Sequence, residues 1–155
     1  MAGNVDKIIS DKGIELPQPA SPAANYVPYV VTGNLVFIAG QLPFWNGELR
    51  YKGTVGGNLS VEDGQAAARL CALNIVAQLK QACGGDLDRV ARCVKLGAFV
   101  ACGADFTDHS KVVNGASDLI VDIFGEAGKH ARFAIGVASL PLGVGVEVDA
   151  VFEIA

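Results

Sequence analysis

Between Ala131 and Ala155 the chain reads ARFAIGVASLPLGVGVEVDAVFEIA, and its one cation, Arg132, stands among apolar and small residues. A guanidinium keeps its proton at physiological pH and is costly to desolvate, so Arg132 calls for an anion or a set of acceptors. Glu147 and Asp149 follow in the same segment. The residues alone leave two readings open: a cross-strand ion pair of Arg132 with Glu147 or Asp149, or an external anion held bidentately by the guanidinium. Asp108-His109-Ser110 has the residue types of a hydrolase triad, but sequence neighbours rarely have triad geometry, and the spacing suits the loop and cap of a helix. His109 and His130 have no cysteine at ligand spacing, which gives no metal signal. Gly143-x-Gly145 lacks a third glycine and a following helix, so it reads as a turn.

Two strands must position the arginine and the carboxylates. In Arg132–Ala138 the residues Phe133, Ile135 and Val137 alternate with Arg132, Ala134, Gly136 and Ala138. In Val144–Ile154 the bulky set is Val144, Val146, Val148, Ala150, Phe152 and Ile154, with Glu147, Asp149 and Glu153 opposite. If both bulky sets face the helices, Arg132, Glu147 and Asp149 share the far face of the sheet, with room over Ala134 and Gly136 for a small polar molecule. No third layer remains in the sequence to cover that face, so a second copy of the chain is the expected cover.

Upstream, residues 4–13 suit a short helix, and the proline-rich ELPQPASPAAN suits an extended lead-in. YVPYVVTGNLVFIAG suits a hairpin turning at Thr32-Gly33-Asn34, with a third short strand expected around Arg50–Val55. Ser60 opens a helix over 61–82 that stops at Gly84-Gly85, with Ala67, Leu70, Cys71, Ile75 and Leu79 as its buried stripe. A strand over 91–102 presents Val94, Leu96, Ala98 and Val100 on one face, and a second helix fits Ser110–Gly125. The order ββ(β)αβαββ indicates an α+β fold, a mixed sheet with two helices packed on one face.

Of 155 residues 51% are hydrophobic and 18% charged, which excludes a disordered chain and suits one domain. Cys71, Cys83, Cys93 and Cys102 form neither a C-x-x-C pair nor a disulfide framework, and read as buried thiols of a reducing compartment. No continuous apolar run suits a signal peptide or a membrane span, so a cytoplasmic protein with no membrane partner is expected. A net charge of −4, with the cations scattered, opposes a nucleic-acid footprint.

ARFAIGVASLPLGVGVEVDAV resembles the C-terminal signature of the RidA/YjgF family of reactive-intermediate deaminases: an arginine strand, an LP turn and a VEV strand. GNLVFIAGQLP resembles the family's strand ending before G-Q-[IL]-P. The resemblance covers about residues 22–155, with 1–21 as an additional lead-in. It implies a chorismate-mutase-like fold, a homotrimer with a central barrel and clefts between subunits, and hydrolysis of 2-imino acids to 2-keto acids and ammonia without metal or cofactor. By position it makes Arg132 the carboxylate-binding arginine, Glu147 the water-positioning glutamate, and Tyr26 and Asn114 cleft residues; Gly40 supplies backbone contact. Ala39 and Ala134 stand where the family often has serine and cysteine, and the segment 102–114 is longer than in short members. Two alternatives stay open: a non-catalytic metabolite-binding or interaction trimer, and an RNA-cleaving translation inhibitor.

Overall fold

A computed structural model describes residues 3–22 and 24–155; Met1 and Ala2 of the lead-in, and Ala23, lie outside the described residues. Three helices, α1 (Asn4–Asp11), α2 (Val61–Ala82) and α3 (His109–Phe124), accompany a sheet of β1 (Tyr29–Thr32), β2 (Leu35–Gln41), β5 (Val90–Ala101), β6 (Ala131–Val137) and β7 (Val146–Ile154). Its strand order is β1-β2-β7-β5-β6, and a small separate ribbon joins β3 (Phe44–Trp45) to β4 (Glu48–Leu49). β5 and β6 run parallel, linked by α3 as crossover, while β7 pairs antiparallel with both β5 and β2. β6 is therefore an edge, and α3 lies against it.

Local chemistry sets the ends of these elements. Ser60 and Asp63 form a reciprocal capping box on α2, a motif that contributes about 1 kcal/mol. The Asp88 carboxylate accepts from the N–H groups of Asn4 and Val5, tying the start of α1 to the loop before β5. The expected stripe of α2 is buried, but so are Ala68, Ala72, Leu73, Val76 and Ala77. α2 is enclosed by the sheet, by α3 and by the lead-in, whose Ala20 carbonyl takes a hydrogen bond from Gln78 at 2.7 Å.

Two expectations about strands are corrected. Residues 50–55 form isolated bridges rather than a strand, because Tyr51 and Gly53 adopt positive φ and break the extended chain. In β5 a bulge between Cys93 and Lys95 turns Cys93 into the core and leaves Val94 exposed, whereas Leu96, Ala98 and Val100 are fully buried as expected. Among the described residues no helix is long and apolar enough to cross a membrane.

Candidate active site

Arg132 does not share a face with Glu147 and Asp149. Residues directly opposite in a ladder point to the same side of a sheet, and Arg132 stands opposite Leu96, which stands opposite Ala150. Leu96 and Ala150 are core residues under the helices, so Arg132, Ala134 and Gly136 project on the helix side. Glu147 stands opposite Phe99, as does Ile135, which places Phe133, Ile135, Glu147 and Asp149 on the far side. The bulky residues of β6 turn outward because the parallel register with β5 decides the face. Phe133 then packs edge-on against Phe99, with ring centroids 5.4 Å apart, over the bare backbone of Gly97.

At the sheet edge, among the described residues, the guanidinium of Arg132 meets only neutral acceptors. Nη1 donates to Asn114 Oδ1 and Ser117 Oγ, both at 3.0 Å, and Nη2 donates to the Ser110 carbonyl at 3.1 Å. Ser110, Asn114 and Ser117 are spaced i, i+4, i+7, so they line one face of α3. Behind them His130 Nδ1 lies 2.7 Å from the Gly128 carbonyl, and His130 Nε2 lies 2.8 Å from Ser117 Oγ. A carbonyl only accepts, so Nδ1 carries a proton; in the neutral imidazole Nε2 then accepts from the Ser117 hydroxyl, whose oxygen accepts from Arg132. Three of the five N–H groups of Arg132 are thus engaged, and the remaining two, which have no partner among the described residues, match the number a carboxylate takes bidentately.

A second group of site residues lies across the sheet. β2 is irregular between Ile38 and Gln41, which brings Gly40 over the Glu147 carboxylate. A Cβ at Gly40 would collide with Glu147 Oε2, so glycine there allows the carboxylate to lie against the strand. Tyr26, 50% exposed, lines a narrow cleft with Pro28, Ala39, Gly40 and Gln41. Burial, and secondarily the like charge of Asp149, push the Glu147 carboxyl above its ordinary value. Asp149 is also raised, by burial, against the opposing pull of the Gly97 backbone and Lys95.

The sequence-predicted residues therefore separate into two sets: Arg132, Asn114 and Ala134 on the helix side of the β6 edge, and Tyr26, Gly40 and Glu147 around the β2–β7 pair. Among the described residues no cluster of three or more His, Cys, Asp or Glu side chains could hold a metal.

Residues 6–153 match the family described as "YjgF/chorismate mutase-like, putative endoribonuclease". The chain belongs to the RidA/YjgF family. Protein TCP17 of Trypanosoma cruzi is 51% identical over 154 residues, covering 99% of this chain and 96% of that protein. A crystal structure described as a putative endoribonuclease from Shewanella oneidensis is 37% identical with a TM-score of 0.94, covering 98% of this chain and 100% of that one. RidA from an Antarctic Psychrobacter species is 31% identical with a TM-score of 0.61, covering 88% and 94%. The α+β chorismate-mutase-like fold of the RidA/YjgF family is thus the fold of this chain.

Within that RidA/YjgF framework, sequence reasoning missed Ser110, Ser117 and His130. The available signal was the i, i+4, i+7 spacing of the polar residues at 110, 114 and 117, and His130 alternates with Arg132 along one face. The Ala39 backbone N–H donates to the Pro28 carbonyl at 2.9 Å, and Ala134 packs on the core beside Arg132.

Proposed function

We propose that this protein hydrolyses 2-imino acids to 2-keto acids and ammonia in clefts that two copies of a homotrimer build together. The carrying observation is Arg132, a half-buried guanidinium fixed by neutral acceptors with two N–H groups to spare. Such a group binds the α-carboxylate of a small acid and so fixes C2, the electrophilic carbon. Glu147 of the neighbouring copy faces that carbon, orients a water and takes its proton as the water oxygen bonds to C2 of the protonated imine. Protonated Glu147 returns that proton to the nitrogen of the tetrahedral adduct, which leaves as ammonia with the C–N electron pair, while the new oxygen gives up its remaining proton to water and becomes the keto carbonyl.

The division of residues between the two sides of one sheet supports the shared cleft: a single small molecule cannot touch Arg132 and Glu147 of the same chain through the sheet. The far face, with Val30, Phe37 and Ile135 each about half exposed, supplies the apolar surface for association. The scattered cations and net charge of −4 make RNA cleavage the weaker reading of the family's description.

The test is release of ammonia and keto acid from freshly generated 2-iminopropanoate and 2-iminobutanoate, run beside calorimetry with 2-ketobutyrate. Glu147→Gln should lower kcat by on the order of a hundredfold while ketobutyrate still binds. A wild-type protein that binds ketobutyrate but hydrolyses neither imine above the spontaneous rate is a metabolite-binding trimer instead.

A further inference from the structure

The face of β6 that carries Arg132 continues through Ala134 to Gly136, where it opens into a cavity of about 390 Å³ lined by Cys102, Phe106, His109, Gly136 and Ala138. Phe106 and His109 stand edge to face, centroids 5.2 Å apart and rings inclined by 81°. Cys102 Sγ lies 3.5 Å from His109 Nε2. A Cβ at Gly136 would stand 2.7 Å from both of those atoms, so the Cys102–His109 wall takes its present position because residue 136 is glycine. Gly136 is not among the glycines of positive φ, so its backbone does not itself require glycine. A glycine inside a strand costs stability and commonly marks the close approach of another group.

The cavity and the arginine belong to one surface. His109 immediately precedes Ser110, whose carbonyl receives Arg132 Nη2, so imidazole and guanidinium flank the same end of α3. We propose that this cavity is the side-chain pocket of the active site and that it selects 2-imino acids, and the corresponding 2-keto acids, whose side chain carries an aromatic ring. The inference rests on the deaminase reading and names its substrate class. A methyl or ethyl group would leave most of the space to water, whereas a benzene ring occupies a cavity of about 150 Å³. The walls suit a ring: Phe106 and His109 offer an aromatic corner, and Cys102 offers polarisable sulfur. No lysine or arginine among the described residues lines the pocket to pair with an acidic side chain.

The experiment compares kcat/KM for the imine of phenylalanine, generated in place by an amino-acid oxidase, with that for 2-iminopropanoate. Wild type should favour the ring-bearing substrate by about tenfold or more, within the range that a shaped apolar pocket provides. Gly136→Val, which fills the pocket, should reduce that ratio by about tenfold, and Phe106→Ala, which removes the aromatic corner, should reduce it by several-fold. Circular dichroism checks that each variant folds; should Gly136→Val fail to fold, Phe106→Ala decides. A wild-type ratio at or below one, or a ratio unmoved in the folded variants, overturns the proposal. If neither imine is hydrolysed, the deaminase reading fails separately, and calorimetry of phenylpyruvate against pyruvate still judges the pocket. Tighter phenylpyruvate binding that Gly136→Val weakens supports it; equal affinities overturn it.

Discussion

Arg132 is held as a rigid fork. Each contact on α3 is neutral, so its charge is left for a ligand, and the chain Gly128–His130–Ser117 fixes the hydroxyl on which Nη1 rests. Arg132→Ala should cost about 2–4 kcal/mol, roughly thirty- to a thousandfold in kcat/KM. Arg132→Lys should recover little, since an ammonium keeps the charge but loses the fork. Ser117→Ala should weaken keto-acid binding by about 1 kcal/mol, roughly fivefold by calorimetry, with a smaller effect on kcat, because the arginine stays but loses one support. Glu147 acts as a base only when ionised, and burial together with Asp149 raises its carboxyl. Turnover should therefore fall, as pH drops, at a pH above the ordinary carboxylate range. Asp149→Asn removes the like charge and should move that acid limb to lower pH in a pH–kcat profile. Linkage gives a second reading: a carboxyl raised on folding binds protons more readily in the folded state, so stability falls as pH rises from the unfolded to the folded value. Asp149→Asn should thus raise Tm more at pH 7 than at pH 4.

The helix that carries Asn114 and Ser117 depends on close approach to α2. Gly115 of α3 faces the backbone carbonyl of Gln65 in α2, and any Cβ there would collide with it. Gly64 performs the reciprocal service for Val112. Alanine in a helix interior normally gains about 0.5–1 kcal/mol over glycine. Backbone, unlike the tip of a flexible side chain, cannot turn aside, so overpacking should win at Gly115. Gly115→Ala is expected to destabilise by about 1–3 kcal/mol in thermal or urea unfolding, and to lower turnover because Asn114 and Ser117 flank the displaced residue. Ser60→Ala, at an exposed cap away from the site, should cost about 1 kcal/mol of stability without a comparable loss of turnover.

Among the described residues the five-stranded sheet has helices on one side only. Its open side mixes Val30, Phe37, Phe99, Phe133 and Ile135 with Lys95, Glu147 and Asp149. A sheet of this kind buries its second face against another body. The proposed trimer provides one, and it brings the Glu147 half of one copy to the Arg132 edge of the next. Ile135→Glu or Phe37→Glu should shift light scattering from trimer to monomer and abolish turnover together, although neither residue belongs to the proposed site. A monomeric wild type at micromolar concentration would remove the shared cleft.

Much of this architecture is written in near neighbours. The cap at Ser60, the turn at Gly33, the α+β order and the alternation within each strand follow from local chemistry, and the motifs around Arg132 and Glu147 carry the family resemblance on which their proposed roles rest. Alternation states which residues of a strand go together, but not which set faces the helices. Side-chain bulk suggested that Phe133 and Ile135 turn inward; the parallel register of β6 on β5 turned Arg132, Ala134 and Gly136 inward instead. The bulge at Cys93–Lys95 likewise exchanged Val94 for Cys93, since a bulge depends on the partner strand as well as on the segment itself. The cavity at Gly136 and the relay through Ser117 to His130 join residues of α3 and β6 with the segments that follow β5 and precede β6. Their assembly required the tertiary structure because long-range packing, unlike capping or strand alternation, leaves no periodic mark within a single segment.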